Sequence, residues 1–121
     1  MLVAQITDTH ILAPGKMFRA RIEPQSPSAE FVYAEIDTGA CLARAVAALN
    51  ALVPLPDVTI VTGDLVDHGE AAEYDHLRQL LAPLSMPVFV IAGNHDSRAP
   101  LRQAFAADGY FPPDGFLHYT V

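Results

Sequence analysis

The sequence predicts an α/β fold of order β-α-β-α-β-α-β built on a mainly parallel sheet. Three observations carry this expectation. Short β-branched runs alternate with stretches of helical apolar spacing, the runs pass directly into Gly, Asp or Asn, and one long connection is the only break in the rhythm across 121 residues.

Taken in order, Leu2 to Thr7 is a short apolar run of the kind buried on both faces in a parallel sheet. The connection from Ala13 to Ile36 is too long for an ordinary strand-to-helix loop. It holds two semi-alternating runs, Met17 to Ile22 and Phe31 to Ile36, separated by "EPQSPSAE". Either a projecting β-hairpin or an irregular insertion fits, since Pro24 and Pro27 disfavour a tight turn. In both cases the 13–36 insertion leaves from the tip of the first strand, inside a single domain spanning 1–121. It could overhang a site there or reach a neighbouring subunit.

Leu42, Ala45, Val46, Leu49, Leu52 and Val53 then repeat at helical spacing from a start near Asp37 or Thr38, and Pro54 to Pro56 end that helix. Val58 to Thr62 is the second strand. Tyr74, Leu77, Leu80, Leu81 and Leu84 mark the next helix, with Glu70 and Glu73 in its first turn, where the macrodipole favours negative charge. Pro87 opens the third strand, Val88 to Ala92. A shorter helix with Leu101, Ala104 and Phe105 follows Pro100, and Pro112, Pro113 and Gly115 turn the chain into an expected fourth strand, Phe116 to Val121.

Composition narrows the function. Seven Lys and Arg against fourteen Asp and Glu give a net charge of -7, so no broad attraction to a nucleic-acid polymer or an anionic membrane is expected. An anionic substrate would need a local positive centre. Cys41 is the single cysteine, which rules out an intrachain disulfide framework and a Cys-rich zinc site and suits a reducing compartment. Met1 leads straight into the first strand with no signal-like or membrane-spanning stretch, so a cytoplasmic location is expected.

The three strand tips carry the chemistry. The first ends in Asp8 and His10, the second runs into "GDLVDHG" with Asp64 and Asp67, and the third into "GNHD" with Asn94, His95 and Asp96. Adjacent strands lie about 4.8 Å apart, so ligands from neighbouring tips can converge above one sheet edge. Carboxylates suit hard or borderline divalent ions, imidazole suits Zn, Fe, Mn or Co, and an Asn carbonyl adds a neutral oxygen that leaves the ion electrophilic. Two ions about 3.5–4 Å apart would activate water and neutralise phosphoryl oxygens. Such a pair would supply the missing positive centre. Gly63 and Gly93 fit the sharp turns and close backbone approach these tips require.

With those blocks in view, Asp8-Thr9-His10, Gly63-Asp64-Leu65-Val66-Asp67 and Gly93-Asn94-His95-Asp96 resemble the first three signature blocks of the calcineurin-like metallophosphoesterases. "QITDTHI", "TGDLVDHG" and "IAGNHD" most resemble the class III cyclic-nucleotide phosphodiesterases and their glycerophosphodiesterase relatives. The resemblance implies the N-terminal half of an αββα sandwich holding two divalent metal ions, with Mn, Fe, Zn or Co as candidates. It implies that Asp8 and His10 bind one ion, Asp64 bridges both, and Asn94 binds the second. His95 would contact the phosphate or protonate the leaving oxygen, oriented by Asp96, and Asp67 would steady the tip and His10.

The family's remaining metal ligands are three later histidines, one after a further strand and two in a Gly-His-x-His block, which this sequence does not contain. His76 reads as a surface histidine and His118 as packed or exposed, while His68 lies at the mouth of the expected site. Two functions follow. One is a binuclear phosphodiesterase that hydrolyses small phosphodiesters such as 3',5'-cyclic nucleotides by metal-bound hydroxide attack. The other is a non-catalytic half-domain that works through homo-oligomerisation or association with a missing C-terminal half, because a lone half would leave an apolar sheet face exposed.

Overall fold

A computed structural model describes residues 1–23 and 30–121. Three strands, β1 (Val3–Thr7), β4 (Val58–Thr62) and β5 (Val88–Ile91), form a parallel sheet in the order β1-β4-β5. Two further strands, β2 (Phe18–Ile22) and β3 (Val32–Ile36), pair antiparallel within the long connection. Of the two readings of that insertion, paired strands are what the described residues form. The stretch joining them, with Pro24 and Pro27, lies outside the described residues.

Helix α1 (Thr38–Asn50) starts where its sequence expects, because the Asp37 carboxylate accepts the Ala40 N–H at 2.8 Å and satisfies one of the orphan donors of the first turn. Helix α2 (Ala71–Leu81) follows β4. Helix α3 (Arg98–Ala104) begins before Pro100, which sits in the first turn where its missing N–H costs no helical hydrogen bond.

All three helices pack on one face of the sheet. In-register residues Ile6, Val61 and Val90 point into that layer, where Val61 and Val90 pack with Leu42, Val46, Leu77, Leu81, Leu101 and Phe105 in one buried cluster. The opposite face carries Val3, Ile60, Phe89 and Ile91, with Val3 41% and Ile91 49% exposed. A groove of about 520 Å³ runs over it, bordered on one side by Leu117 and Tyr119.

The expected fourth strand is absent: Phe116 to Val121 has no regular structure. Its alternating pattern is spent differently. The Tyr119 hydroxyl donates to the Val90 carbonyl oxygen at 2.6 Å, and its ring packs with Tyr110 and Phe111. Because Gly63 N–H takes the Ile91 carbonyl, strand alternation turns the Val90 carbonyl to the outer edge of β5. A side chain therefore occupies the acceptor that a neighbouring strand would need. Upstream, Arg102 donates to the Pro112 and Gly115 carbonyls and fixes the turn that leads into this segment.

Candidate metal centre

The strands end, but the pairing does not. Beyond β1 and β4, Asp8 N–H donates to Gly63 O, His10 N–H to Asp64 O, Ile11 N–H to Leu65 O, and Asp67 N–H to Ile11 O, at 3.0 to 3.3 Å. Two tip loops thus run side by side as a continuation of the sheet edge. Within them Asp8, His10 and Asp64 have φ of 52°, 41° and 38°, and they are the non-glycine residues with positive φ among those described. An L-residue held there costs on the order of 1–3 kcal/mol and persists only where the surroundings over-determine it; such positions cluster at functional sites.

That backbone turns three side chains inward together. Asp8, His10 and Asp64 each offer a donor atom, and those atoms lie within 4.8 Å of one another. His10 Nδ1 is 3.0 Å from Asp67 Oδ1, while its Nε2 is 3.8 Å from Asp64 Oδ2. Two carboxylates and an imidazole whose second nitrogen rests on a further carboxylate are a donor set that fits a divalent cation. The Thr7 hydroxyl lies between the Asp8 carboxylate and the Thr62 carbonyl, 2.7 Å from the latter.

The third tip closes on the second through Gly93. A Cβ at this position would stand 2.1 Å from Asp64 N and 2.3 Å from Asp64 Oδ1, so only glycine permits the approach. His95 N–H donates to Asp64 Oδ1 at 3.0 Å, and this bond, with the nearby His95 and His10 rings and the Asn94 N–H, holds the Asp64 carboxyl below its ordinary range. Asn94 and His95 are exposed in this loop, and the His95 ring meets His10 edge-on at 4.8 Å between centroids.

Two expectations need correcting. Asp96 makes no hydrogen bond to the His95 ring. Its Oδ2 accepts the Leu65 and Gly93 N–H groups at 3.1 and 2.7 Å, and its Oδ1 accepts the Tyr74 hydroxyl at 3.0 Å. It is a backbone clamp between the second and third tips, and His95 instead donates Nδ1–H to the Asp67 carbonyl at 2.7 Å. That bond raises the His95 pKa. Nor is His76 a free surface histidine: its Nδ1 lies 2.7 Å from the Leu12 carbonyl, and its ring packs against Gly39. His118 is exposed and stacks on Phe116, as expected, and it lines a pocket that reaches Gly93 and Asp96 of the third tip.

Tyr74 is the functional residue that periodicity assigned only to the core. It is fully buried, accepts the Ser97 N–H at 2.8 Å, and its burial beside Asp96 drives its pKa upward. A buried tyrosine needs a partner for its hydroxyl, which was the available signal, but sequence alone does not say which. Asp67 steadies His10 as expected. At the start of β2 the Phe18 ring lies 5.4 Å from that of His10, so the insertion touches the first tip. On the outer side of β1 a pocket of about 250 Å³ reaches Asp8 and Thr9, walled by Ile36, Thr38 and Cys41.

A model of the family described as calcineurin-like phosphoesterase matches residues 1–120. A protein of Arcobacter nitrofigilis named "Probable glycerophosphodiester phosphodiesterase GpdQ" is 31% identical over 121 residues, which is 100% of this chain and 39% of that protein. Glycerophosphodiester phosphodiesterase GpdQ of Enterobacter lignolyticus is 38% identical over 99 residues, 82% of this chain and 31% of that protein. The 3',5'-cyclic adenosine monophosphate phosphodiesterase CpdA of Pseudomonas aeruginosa is 31% identical over 104 residues, covering 86% and 33%. The chain spans about a third of the length of these curated relatives.

Proposed function

This chain belongs to the calcineurin-like phosphoesterase family, a family of hydrolases, and on that premise we propose that it serves metal-dependent hydrolysis of small phosphodiesters such as 3',5'-cyclic nucleotides. The observation that carries this is the convergence of Asp8, His10 and Asp64 donor atoms within 4.8 Å on left-handed backbone. Asp8, His10 and Asp64 would hold divalent cations, with Asn94 completing the set from the third tip. Two such ions, with Mn, Fe, Zn or Co as candidates, would supply water activation and neutralisation of phosphoryl charge.

The chain's own residues do the rest. His95 directs Nδ1 to the Asp67 carbonyl, which leaves Nε2 to bind a phosphate oxygen or give a proton to the departing alkoxide. Asp96 acts at one remove, holding the two loops that carry Asp64 and His95 at their present separation. A cytoplasmic location belongs to the same reading; no helix among the described residues is long and apolar enough to cross a membrane.

Hydrolysis of a chromogenic phosphodiester with added Mn²⁺ tests the proposal. Turnover should depend on metal and fall about 10²-fold or more in Asn94→Ala and His95→Ala. Absence of metal-dependent turnover by the purified 121-residue chain would end catalysis for this species. A non-catalytic half-domain is then favoured by the open sheet face, where Val3 and Ile91 are 41% and 49% exposed. Association with a second copy or with a C-terminal half would be its working mode.

A further inference from the structure

A pocket of about 340 Å³ opens on the flank of the third tip, lined by Gly93 and Asp96 of that tip, by Arg98 of α3, and by Phe116, Leu117 and His118 of the final segment. Asp8, His10 and Asp64 are not among its walls.

Arg98 sets it apart. Arg21 pairs with Glu23, Arg44 donates to the Cys41 sulfur, Arg78 pairs with Asp108, and Arg102 donates to two backbone carbonyls. Among the described residues the Arg98 guanidinium has no such polar partner, and its central carbon lies 4.7 Å from the centroid of the Phe116 ring. The carboxylate in its own pocket, Asp96, already accepts from Leu65, Gly93 and Tyr74. In a chain of net charge -7, a cation kept clear of carboxylates is available to an outside anion. A guanidinium laid on an aromatic face keeps its N–H edge free for two parallel bonds to an oxyanion.

The same ring carries a second donor. His118 is exposed and stacks on Phe116 at 5.5 Å between centroids and 10° between planes. Burial does not account for a phenylalanine left 63% exposed; its ring instead joins Arg98 and His118 into one group. The chain is fastened on both sides of this group. Arg102 holds the Pro112 and Gly115 carbonyls at 2.8 Å, and the Tyr119 hydroxyl donates to the Val90 carbonyl at 2.6 Å. A rim fixed beforehand lowers the ordering cost of binding.

We propose that Arg98 and His118, joined by Phe116, form a binding site for a phosphoryl group on the flank of the third tip. A carboxylate fills the fork of Arg98 with both its oxygens, whereas a phosphate has a third oxygen left for an N–H of His118. The site is separate from the candidate metal centre, and it does not depend on the phosphodiesterase reading.

The test uses the 121-residue chain without added metal, so it stands whether or not that reading survives. Inorganic phosphate is titrated near neutral pH, with chloride keeping the ionic strength constant, and NMR follows the Arg98 Nε–H and the His118 ring. In wild type both signals should move along one saturable curve, and acetate should bind about tenfold more weakly than phosphate. Arg98→Gln, read at His118, should weaken phosphate binding about tenfold, and His118→Leu, read at Arg98, about threefold. Arg98→Lys keeps the charge and loses the fork, so it should fall about threefold below wild type. Shifts that never saturate, acetate binding as tightly as phosphate, or wild-type phosphate affinity in Arg98→Gln would each overturn the proposal. If Arg98→Gln does not fold, Arg98→Lys decides: weakened binding supports a placed site, and wild-type affinity leaves only diffuse charge and refutes it.

Discussion

The two faces of one sheet have opposite fates here. Toward the helices, Val61 and Val90 are fully buried; toward the open side, their strand neighbours Ile60 and Phe89 line a groove and Ile91 is 49% exposed. The candidate centre depends on the first face. Tyr74 supports it from α2 through Asp96, which ties together the backbones of the second and third tips. The contrast teaches that the strand tips can be ordered from the helical layer alone.

The harshest way to break that arrangement is Gly93→Ala. A Cβ there would stand 2.1 Å from a backbone nitrogen, which no side-chain movement relieves, so a loss of about 3 kcal/mol or more is expected in urea unfolding. Divalent-cation binding, followed by calorimetry, should disappear with it.

Next comes a paired test of the faces themselves. Leu77→Ala, at a fully buried position, should cost about 2–5 kcal/mol, while Ile91→Ala on the open face should cost under about 1 kcal/mol. Equal costs would mean that the open face is covered in solution. Sedimentation of both variants would then show whether a second copy covers it.

The smallest effect is on pH. The Glu73 bond raises the His68 pKa above its ordinary 6.5, with Asp67 and Glu70 adding to it against some desolvation. A raised histidine stabilises the fold fully below the unfolded value, and that contribution drains away as pH climbs through the folded one. With the ring largely exposed, the expected gain is under about 1 kcal/mol. Unfolding midpoints measured from below pH 6.5 upward should decline more steeply in wild type than in His68→Gln.

Much of this was readable in advance, for a physical reason. Three β-branched runs that stop at Asp8, Asp64 and Asn94 can hardly be laid in a parallel sheet without bringing those residues to one edge. The start of α1 was equally plain, since Asp37 is a good cap before a helical pattern. What escaped was tertiary. Asp96 beside His95 suggests a local pair, yet its carboxylate is claimed by Leu65, Gly93 and Tyr74 from elsewhere in the chain. The final segment alternates like a strand, but one hydroxyl bond from Tyr119 to an edge carbonyl redirects it. His76 looks like any exposed helix histidine until a loop carbonyl is found 2.7 Å away.

The left-handed backbone at Asp8, His10 and Asp64 bears on transplanting this centre into another protein. Copying the side chains onto regular strand ends would aim them elsewhere, because their directions come from main-chain angles that ordinary hosts do not hold. A graft would have to carry both loops, the Gly93 approach and the Asp96 clamp as one block.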